Sequence, residues 1–326
     1  MSDLALVTGS TGFLGSWICR ALLAEGFRVR ALHRTTSSLL AIEDLPVERI
    51  VGDILEPETL IPAMQDVQVV FHAAAQSDYW RNPNGVVRTS VEGTRNMCRA
   101  ALEAGVRRFV LTSSLAAMGV PQGDELLTES HTFSLPPDLF PYGYGKLRAE
   151  QVAQEIRQQG LDLVIVNPSI VLGPGDVYQI SGSLLVEAAR GRTFLWVEGG
   201  VNYIHVEDAA EGHIRALNAG QSGERYILGG ENLTHRVVFG ELAEIVGRQP
   251  PWLKLPHALI PPSAALIDWL NRFVNMPLDG GQLRMSANYL FCDTSKSIQE
   301  LGFTPRRTFQ QAAREAYRWY QDHDYL

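Results

Sequence analysis

The sequence has few cysteines. There are three in 326 residues, Cys19, Cys98 and Cys292, and they lie far apart. No two of them have the close spacing of a zinc-binding pair, which excludes a cysteine zinc site, and we expect no bound metal. Their scarcity also fits a reducing compartment, so we expect a cytoplasmic protein.

Positive charge and long apolar runs are also scarce. The net charge of -8 argues against a surface that binds nucleic acid. The most apolar later run, LPHALIPPSAALIDWLNRFV, holds three prolines and two charges, so we expect no transmembrane segment, although contact with a membrane surface stays open. The strand-like LALVTG follows the first methionine almost at once, and we therefore expect no signal peptide in front of it.

Short apolar runs alternate with helical patterns in the first half of the chain. The helical patterns are at 12–25, 86–104 and 141–159, and the predicted strands are at 4–8, 28–33, 48–51, 68–74, 107–113 and 162–167. Strands that alternate with helices indicate right-handed crossovers. We therefore predict an α/β fold with a Rossmann-type, doubly wound parallel sheet.

The pattern changes after about residue 170, where glycine and proline become frequent and helices mix with short strands. We interpret residues 1–170 as the first domain. Residues 171–326 are predicted to form mainly a smaller C-terminal α/β lobe. A segment at about 201–228 is expected to return to the first domain.

Three glycines follow the first predicted strand. Gly9, Gly12 and Gly15 in TGSTGFLGSW lie between that strand and the start of the first helix. Glycines there allow the backbone to approach a pyrophosphate, and the helix N-terminus offers free N–H groups. The alternative is a purely structural turn. The strand-turn-helix context favours a dinucleotide site.

A carboxylate is missing where the second strand ends. Proteins that bind NAD usually carry Asp or Glu there for the ribose 2′-hydroxyl, whereas this chain has His33 and Arg34. Arg34 can hold a phosphate through two N–H bonds, with Arg30 as a second positive charge nearby. We therefore predict NADP(H) as the preferred cofactor, with NAD(H) as the alternative. The competing interpretation is a solvated basic strand end.

Two further positions have both a functional and a structural interpretation. Asp53 ends the third strand and either accepts a hydrogen bond from the adenine amino group or caps a turn.

Tyr142 lies four residues before Lys146 in PYGYGKLRAE, on the same helical face, whereas Tyr144 lies two before it. A neighbouring ammonium favours a phenolate, so we expect a lowered pKa and acid–base chemistry for Tyr142. The alternative is that both tyrosines pack at a helix start.

The motifs together resemble the extended short-chain dehydrogenase/reductase family. TGSTGFLG, GDI, HAAA, TSS, the Tyr142–Lys146 pair and NPS occur in the family's order, and the similarity continues through YIHVEDAAEGH and CDTSKSIQELGFTP. EGFRVRALHR is similar to the dihydroflavonol 4-reductase branch. NPSIVLGPGD and GERYILGGENLT are similar to a subgroup called hopanoid-associated sugar epimerases.

The resemblance implies that residues 1–170 bind NADP(H), that residues 171–326 mainly bind substrate, and that individual residues have defined roles. Tyr142 becomes the general acid/base, Lys146 its partner on the nicotinamide ribose, and Ser114 the group that orients the substrate oxygen. Tyr144 is then expected to face the substrate or to pack. The predicted cofactor-binding residues are Gly9, Thr11, Gly12, Phe13, Leu14, Gly15, His33, Arg34, Asp53, Ile54, Ala73, Ala74, Ala75, Thr112, Tyr142, Lys146, Pro168 and Ser169.

The sequence departs from the family pattern at two positions. Ser90 stands where the family usually has Asn, which puts a hydrogen bond in doubt, and Met118 stands where a Tyr is expected. The family commonly forms homodimers through two long helices, which are expected here at about 86–104 and 141–159.

The sequence leaves three candidate functions. The first is an NADPH-dependent oxidoreductase that reduces a ketone or aldehyde of a small, cyclic or aromatic substrate, with Tyr142 as general acid. The second is a nucleotide-sugar epimerase, which normally retains NAD. The third is a nucleotide sensor without catalysis, which the intact Ser114, Tyr142 and Lys146 disfavour.

The residues that bind substrate are the least determined. Ser77, Tyr79 and Trp80 follow the fourth strand and could contact a flat substrate or form a surface loop. The other candidates are Ser114 and Tyr144, with Asp176, Tyr178, Trp196 and Tyr203 in the second lobe. His205 is expected to be structural, with Glu207 and Asp208 at the start of a helix.

Overall fold

The computed structural model describes residues 2–76, 82–179, 182–271, 273 and 280–326. Its strands are β1 (Leu4–Thr8), β2 (Arg28–His33), β3 (Glu48–Val51), β4 (Val69–His72), β5 (Arg108–Thr112), β6 (Leu163–Pro168), β7 (Ile170–Leu172), β8 (Leu195–Val197), β9 (Gly200–His205), β10 (Arg225–Leu228), β11 (Glu231–Thr234), β12 (Leu253–Leu255) and β13 (Tyr289–Leu290). Its α-helices are α1 (Phe13–Ala24), α2 (Pro57–Ala63), α3 (Pro83–Arg88), α4 (Thr94–Glu103), α5 (Pro141–Arg157), α6 (Ser183–Ala189), α7 (Val206–Ala219), α8 (His235–Val246), α9 (Ile260–Leu270), α10 (Gly280–Ser286), α11 (Ser295–Leu301) and α12 (Phe309–Asp322).

The main sheet is parallel and doubly wound. In the described part of the chain it has seven strands in the order β10-β6-β5-β4-β1-β2-β3. The chain starts at β1, runs outward through β2 and β3, and then returns to β4 on the other side. This reversal leaves a crevice at the carboxyl ends of β1 and β4, where such sheets bind ligands. The predicted fold class is confirmed.

The central strands are apolar along their whole length. Every residue of β1, β4 and β6 is buried, as a sheet covered on both faces requires. One core cluster joins this sheet to residues of α1 and α7, and a second joins its other face to residues of α4 and α5. The sheet is therefore held rigidly between two helical layers.

The predicted helix at 86–104 is interrupted. It consists of α3, a π-helical turn over Thr89–Gly93, and α4. At Gly93 a β-carbon would lie 2.5 Å from Cδ1 of Ile54, so the backbone approaches the loop after β3 very closely. The other predicted elements agree with the structure to within about two residues at each end, the usual uncertainty of a helix or strand end.

The later residues divide between two places. β7, β9, β11 and β13 form a smaller sheet, which packs in one core cluster with residues of α6, α8 and α12. In contrast, β10 pairs with β6 in the main sheet, and α7 contributes to the core cluster that contains α1. In the described ranges, no helix is long and apolar enough to cross a membrane.

The core packing predicts a large effect of Phe109→Ala, because this β5 side chain is 0% exposed. Its truncation should lower the free energy of unfolding by about 3–5 kcal/mol, as measured by chemical denaturation. Ile61 is 72% exposed, so Ile61→Ala is the matched control and should change stability by about 0.5 kcal/mol or less. Equal effects of the two variants would contradict the assigned core.

Candidate active site

The ends of neighbouring strands bring the predicted site residues together. Thr8 ends β1 beside His72 of β4, and the Thr8 hydroxyl is 2.7 Å from His72 Nδ1. Thr112 ends β5 opposite Val166 of β6, two residues before Pro168. The glycine turn, the Ala73–Ala75 segment and the TSS segment therefore border one crevice.

The glycine turn has no room for side chains. Gly9 has φ +67°, and a β-carbon there would lie 2.7 Å from the Ala74 nitrogen. A β-carbon on Gly15 would lie 2.0 Å from the Gly9 carbonyl oxygen. Gly12 N–H donates to that same oxygen at 2.9 Å, and α1 starts at the next residue.

This turn fits the phosphates of a dinucleotide. The first turn of α1 carries no acidic residue, so its free N–H groups are available to an anion. Thr11 and Phe13 are buried, and Leu14 is partly buried. Across the crevice, Ala73 and Ala74 are partly buried and Ala75 is exposed.

Arg34 lies in a turn just after β2. Its N–H donates to Ser37 Oγ at 3.3 Å, and the Ser37 N–H donates back to the Arg34 carbonyl oxygen at 3.0 Å. The Arg34 guanidinium is exposed and has no hydrogen bond or ion pair to any other described residue. His33 Nδ1 lies 3.1 Å from the Arg34 carbonyl oxygen, at the start of the same turn.

The prediction that Arg30 adds a positive charge for the phosphate is wrong. Arg30 is 8% exposed, and its Nε lies 2.9 Å from Glu48 Oε1 on β3. Its Nη1 donates to the carbonyl oxygens of Ala63 and Gln65. Glu48 thus neutralises the Arg30 guanidinium, whose N–H groups donate to partners inside the protein.

Asp53 takes part in a turn after β3. Its Oδ1 accepts from the N–H of Leu55 at 2.9 Å, which is the structural interpretation of this residue. The next residue, Ile54, is buried beneath Gly93. The second carboxylate oxygen of Asp53 accepts no hydrogen bond from the described residues, so one acceptor is left for a ligand.

The three residues predicted as catalytic lie together. Ser114 and Tyr142 share a side-chain hydrogen bond. Lys146 Nζ lies 6.0 Å from the centre of the Tyr142 ring and donates to the carbonyl oxygen of Thr112 at 2.9 Å. Ser114 Oγ also accepts from the N–H of Ala116 at 3.2 Å, which fixes the side chain at the start of a 3₁₀ turn.

The expected direction of the Tyr142 pKa is wrong. Burial raises this pKa above its ordinary value, and the hydrogen bond with Ser114 opposes that effect. The Lys146 ammonium is directed at the Thr112 carbonyl oxygen instead of the phenol oxygen. Burial also lowers the pKa of Lys146 to about 8, while the carboxylate of Glu150 acts in the opposite direction.

Two glycines allow α5 to approach the site closely. A β-carbon on Gly143 would lie 2.7 Å from the Ala116 carbonyl oxygen, and one on Gly145 would lie 3.3 Å from Val87 Cα. Glycine is a poor helix former, so these two residues stabilise the structure by allowing close packing of α5 and not by favouring the helix. The helix that carries Tyr142 and Lys146 can thereby rest directly on the turn that carries Ser114.

Two buried hydroxyls border the crevice without a partner. Ser169 Oγ, directly after Pro168, and Ser90 Oγ, at the departure from the family pattern, make no hydrogen bond to the described residues. Ser90 lines a small crevice with Thr112 and Lys146. An unsatisfied buried hydroxyl is costly, and a bound nicotinamide nucleotide would offer polar groups at this place.

The residues predicted to bind substrate lie in different surroundings. Ser77, Tyr79 and Trp80 lie outside the described residues. Tyr144 packs with its ring centre 6.3 Å from that of Phe133, and Tyr178 is 51% exposed.

Two second-lobe candidates have structural contacts instead. Tyr203 is buried against Phe309, with ring centres 4.7 Å apart. Asp176 is buried and accepts hydrogen bonds from Gly182 and Tyr320. Both side chains therefore have partners inside the protein.

His205, Glu207 and Asp208 are structural, as predicted. His205 Nδ1 accepts from the Glu207 N–H at the start of α7, and Nε2 lies 3.0 Å from Glu315. Glu207 and Asp208 both pair with Arg307. No group of three or more potential metal-binding side chains occurs within the described ranges.

The sequence analysis missed the polar residues behind the site. Glu150 is 4% exposed and contacts Ser113, Asn167 and Arg225. The local part of the signal was present, because Glu150 lies four residues after Lys146 and therefore on the same face of α5, but its burial and its partners are visible in the structure alone.

Comparison with known proteins is consistent with this geometry. The model of the NAD-dependent epimerase/dehydratase family matches residues 5–229. A Synechocystis protein provisionally named a dihydroflavonol 4-reductase is 37% identical, over 100% of this chain and 97% of its own. Cinnamoyl-CoA reductase 1 of Petunia hybrida is 31% identical, over 93% of this chain and 94% of its own.

A solved structure is similar throughout. It is a nucleoside-diphosphate-sugar epimerase from Pseudomonas aeruginosa, 26% identical, with a TM-score of 0.85 over 100% of each chain. The protein belongs to the NAD-dependent epimerase/dehydratase family, that is, to the extended short-chain dehydrogenase/reductases. It is an NAD(P)-dependent oxidoreductase, as predicted.

The glycine turn predicts the effect of Gly15→Ala. The added β-carbon would overlap the Gly9 carbonyl oxygen, so α1 must move away from the turn. Fluorescence titration should show weaker binding of both NADPH and NADH, by about tenfold or more, which corresponds to about 1.4 kcal/mol. Gly240→Ala is the control, because a β-carbon there meets no atom within 4 Å. Unchanged nucleotide affinity in Gly15→Ala would contradict the assigned site.

Proposed function

We propose that the protein is an NADPH-dependent reductase of a ketone or aldehyde group on a small, uncharged substrate. The observation that carries this proposal is the hydrogen-bonded Ser114–Tyr142 pair beside the buried Lys146. Ser114 lies just after β5 and α5 places Tyr142 beside it, in the crevice that also contains the glycine turn. Two of the relatives described above are named as reductases.

Each residue of the pair has a defined task. When bound, the nicotinamide supplies a hydride to the carbonyl carbon of the substrate. The Ser114 hydroxyl donates a hydrogen bond to the carbonyl oxygen and orients it. Tyr142 gives its phenolic proton to that oxygen, and its raised pKa keeps the phenol protonated until the oxygen becomes basic.

Lys146 prepares the tyrosine for this proton transfer. Its ammonium would stabilise the phenolate that Tyr142 becomes after giving up the proton. Because the pKa of Lys146 is about 8, the amine is largely charged at neutral pH and loses its proton as the pH rises through about 8. Lys146 would also bond the ribose hydroxyls of the nucleotide.

The preference for NADPH rests on Arg34. Its exposed guanidinium follows the end of β2, which is where this fold holds the adenosine ribose. A 2′-phosphate would pair with it bidentately, and the Arg34–Ser37 turn fixes the backbone around it. The NADH alternative would leave this cation without a partner.

Four cations after residue 170 are already paired with carboxylates, and this favours an uncharged substrate. A nucleotide sugar carries a diphosphate that needs cations, but Arg190 and Arg192 face Glu187 and Arg284 pairs with Asp268. Lys254 pairs with Glu198 in the same way. The similar P. aeruginosa protein is named as a nucleoside-diphosphate-sugar epimerase, so nucleotide-sugar epimerisation is the second candidate.

The proposal is tested by nucleotide content and turnover. We expect the purified protein to exchange its nucleotide, to prefer NADPH, and to oxidise it in the presence of a panel of uncharged aliphatic and aromatic ketones and aldehydes. Tightly retained NAD with turnover of a nucleotide sugar would refute the reductase function and support the epimerase. Binding of nucleotide without turnover of either substrate class would support a sensor.

The role of Tyr142 predicts a specific loss in Tyr142→Phe. Without the phenolic proton donor, kcat should fall by about 100- to 10,000-fold, because general acid catalysis contributes about that much. The nucleotide Kd should change little. Tyr144→Phe, two residues along the same helix, is the matched control and should retain kcat. Normal kcat in Tyr142→Phe would remove Tyr142 from the mechanism.

Arg34→Ala should separate the two nucleotides. Loss of a charge-assisted hydrogen bond costs about 1.5–3 kcal/mol, so the Kd for NADPH should rise by about tenfold or more while that for NADH stays nearly constant. Isothermal titration with both nucleotides measures this. Arg28→Ala, at the exposed start of the same strand, is the control and should alter neither Kd. An equal loss for both nucleotides would exclude a phosphate role for Arg34.

A further inference from the structure

Glu150 is a buried carboxylate with three partners. It lies one helical turn after Lys146 on α5 and is 4% exposed. Its Oε1 accepts hydrogen bonds from Ser113 Oγ and, at 2.7 Å, from Asn167 Nδ2. Its Oε2 lies 3.1 Å from Arg225 Nε on β10, an ion pair in which the N–H does not point at the oxygen.

These contacts reach both strand ends that border the site. Asn167 Nδ2 also donates to the Ser114 carbonyl oxygen at 3.0 Å, and Ser113 directly precedes Ser114. Asn167 itself directly precedes Pro168 on β6. One carboxylate therefore ties the end of β5 to the end of β6, directly behind the residues that face the crevice.

Glu150 is also the anion that acts on Lys146. On the same helix, the other group that faces Lys146 is the Tyr142 phenol. On β4, His72 is held neutral, because burial lowers its pKa to about 3. On α7, His213 lies behind Thr112 and is also neutral, with its pKa lowered by burial to about 4. Arg225 on β10 faces the far oxygen of Glu150.

We propose that Glu150 is a positioning residue of this site, whose carboxylate aligns Ser114 through Ser113 and Asn167 and supplies the negative charge opposite Lys146. The inference rests on the proposed function for the roles of Ser114 and Lys146. The contacts that it invokes are internal to the protein. It can therefore be tested on the protein alone.

A purely structural role makes a different prediction. If Glu150 served merely as the partner of Arg225, its removal would lower stability and leave the titration of Lys146 unchanged. If it positions the site, the pKa of Lys146 must fall when the carboxylate is neutralised. An opposite charge at close range typically shifts a pKa by about 1–3 units.

The sequence allows a direct measurement, because it contains three lysines, Lys146, Lys254 and Lys296. Protein with isotope-labelled lysine ε-carbons should give three NMR signals, and Lys146→Met assigns one of them. In the wild type we expect this signal to titrate at about 8. In Glu150→Gln it should titrate about one unit lower or more. Glu155→Gln, an exposed position on the same helix, is the control and should leave the titration unchanged.

A second variant guards against loss of the fold. Glu150→Gln leaves Arg225 partly buried without its carboxylate, which can destabilise the protein. The double variant Glu150→Gln with Arg225→Met removes both charges and should still lower the pKa of Lys146, by less than the single variant does, because the repulsion from the Arg225 cation is removed as well. An unchanged titration in a folded variant of either kind would overturn the proposal.

Turnover gives an independent readout. With an accepted carbonyl substrate, the high-pH limb of kcat in Glu150→Gln should move to lower pH by the same amount as the Lys146 signal. If no carbonyl compound is reduced, the proposed function fails, while the NMR titration still decides the positioning role. A shifted NMR titration with an unmoved kcat profile would refute the link between Lys146 and catalysis and overturn the proposed role of Glu150 there.

Discussion

The carbonyl oxygen of Gly9 occupies the place where a side chain on Gly15 would begin, and this contact determines how α1 rests on β1. Because the helix lies so close, its first N–H groups open into the crevice between β1 and β4. The face of α1 behind the turn is then free to share one apolar core with α7. The shape of the glycine turn and the stability of that half of the sheet thus both depend on the close approach of the Gly15 backbone to the Gly9 carbonyl oxygen.

Burial favours the uncharged form of both ionisable groups of the site, Tyr142 and Lys146. It raises the pKa of Tyr142 and lowers that of Lys146. The proposed proton transfer requires charges to appear in this place, and the Ser114 hydrogen bond and the Glu150 carboxylate oppose the effect of burial. The site is therefore a balance between a dry environment, which strengthens polar contacts, and a few fixed charges that keep it functional.

The sequence predicted much of this arrangement because the relevant signals are local. Strand limits followed from continuous apolar runs, and the glycine turn and the Tyr142–Lys146 spacing followed from residues within a few positions of one another. Arg30 was misjudged because its partner Glu48 depends on the pairing of β2 with β3, which places the two residues opposite each other. The pKa of Tyr142 was misjudged because it depends on burial by distant segments. The same limitation hid Glu150, whose partners Asn167 and Arg225 come from strands later in the chain.

The return of the chain to the main sheet has a consequence for how the protein is made. β6 ends at Pro168, but its outer neighbour β10 is formed by Arg225–Leu228, after β7, β8 and β9 have been laid down elsewhere. During synthesis, the outer edge of β6 and the α1 face that packs in one core with α7 therefore stay uncovered until about two-thirds of the 326 residues have left the ribosome. Exposed strand edges invite pairing with other chains. The nascent protein thus passes through a period in which the proposed catalytic residues Ser114, Tyr142 and Lys146 are all synthesised while the edge of the sheet beside them is still open to aggregation.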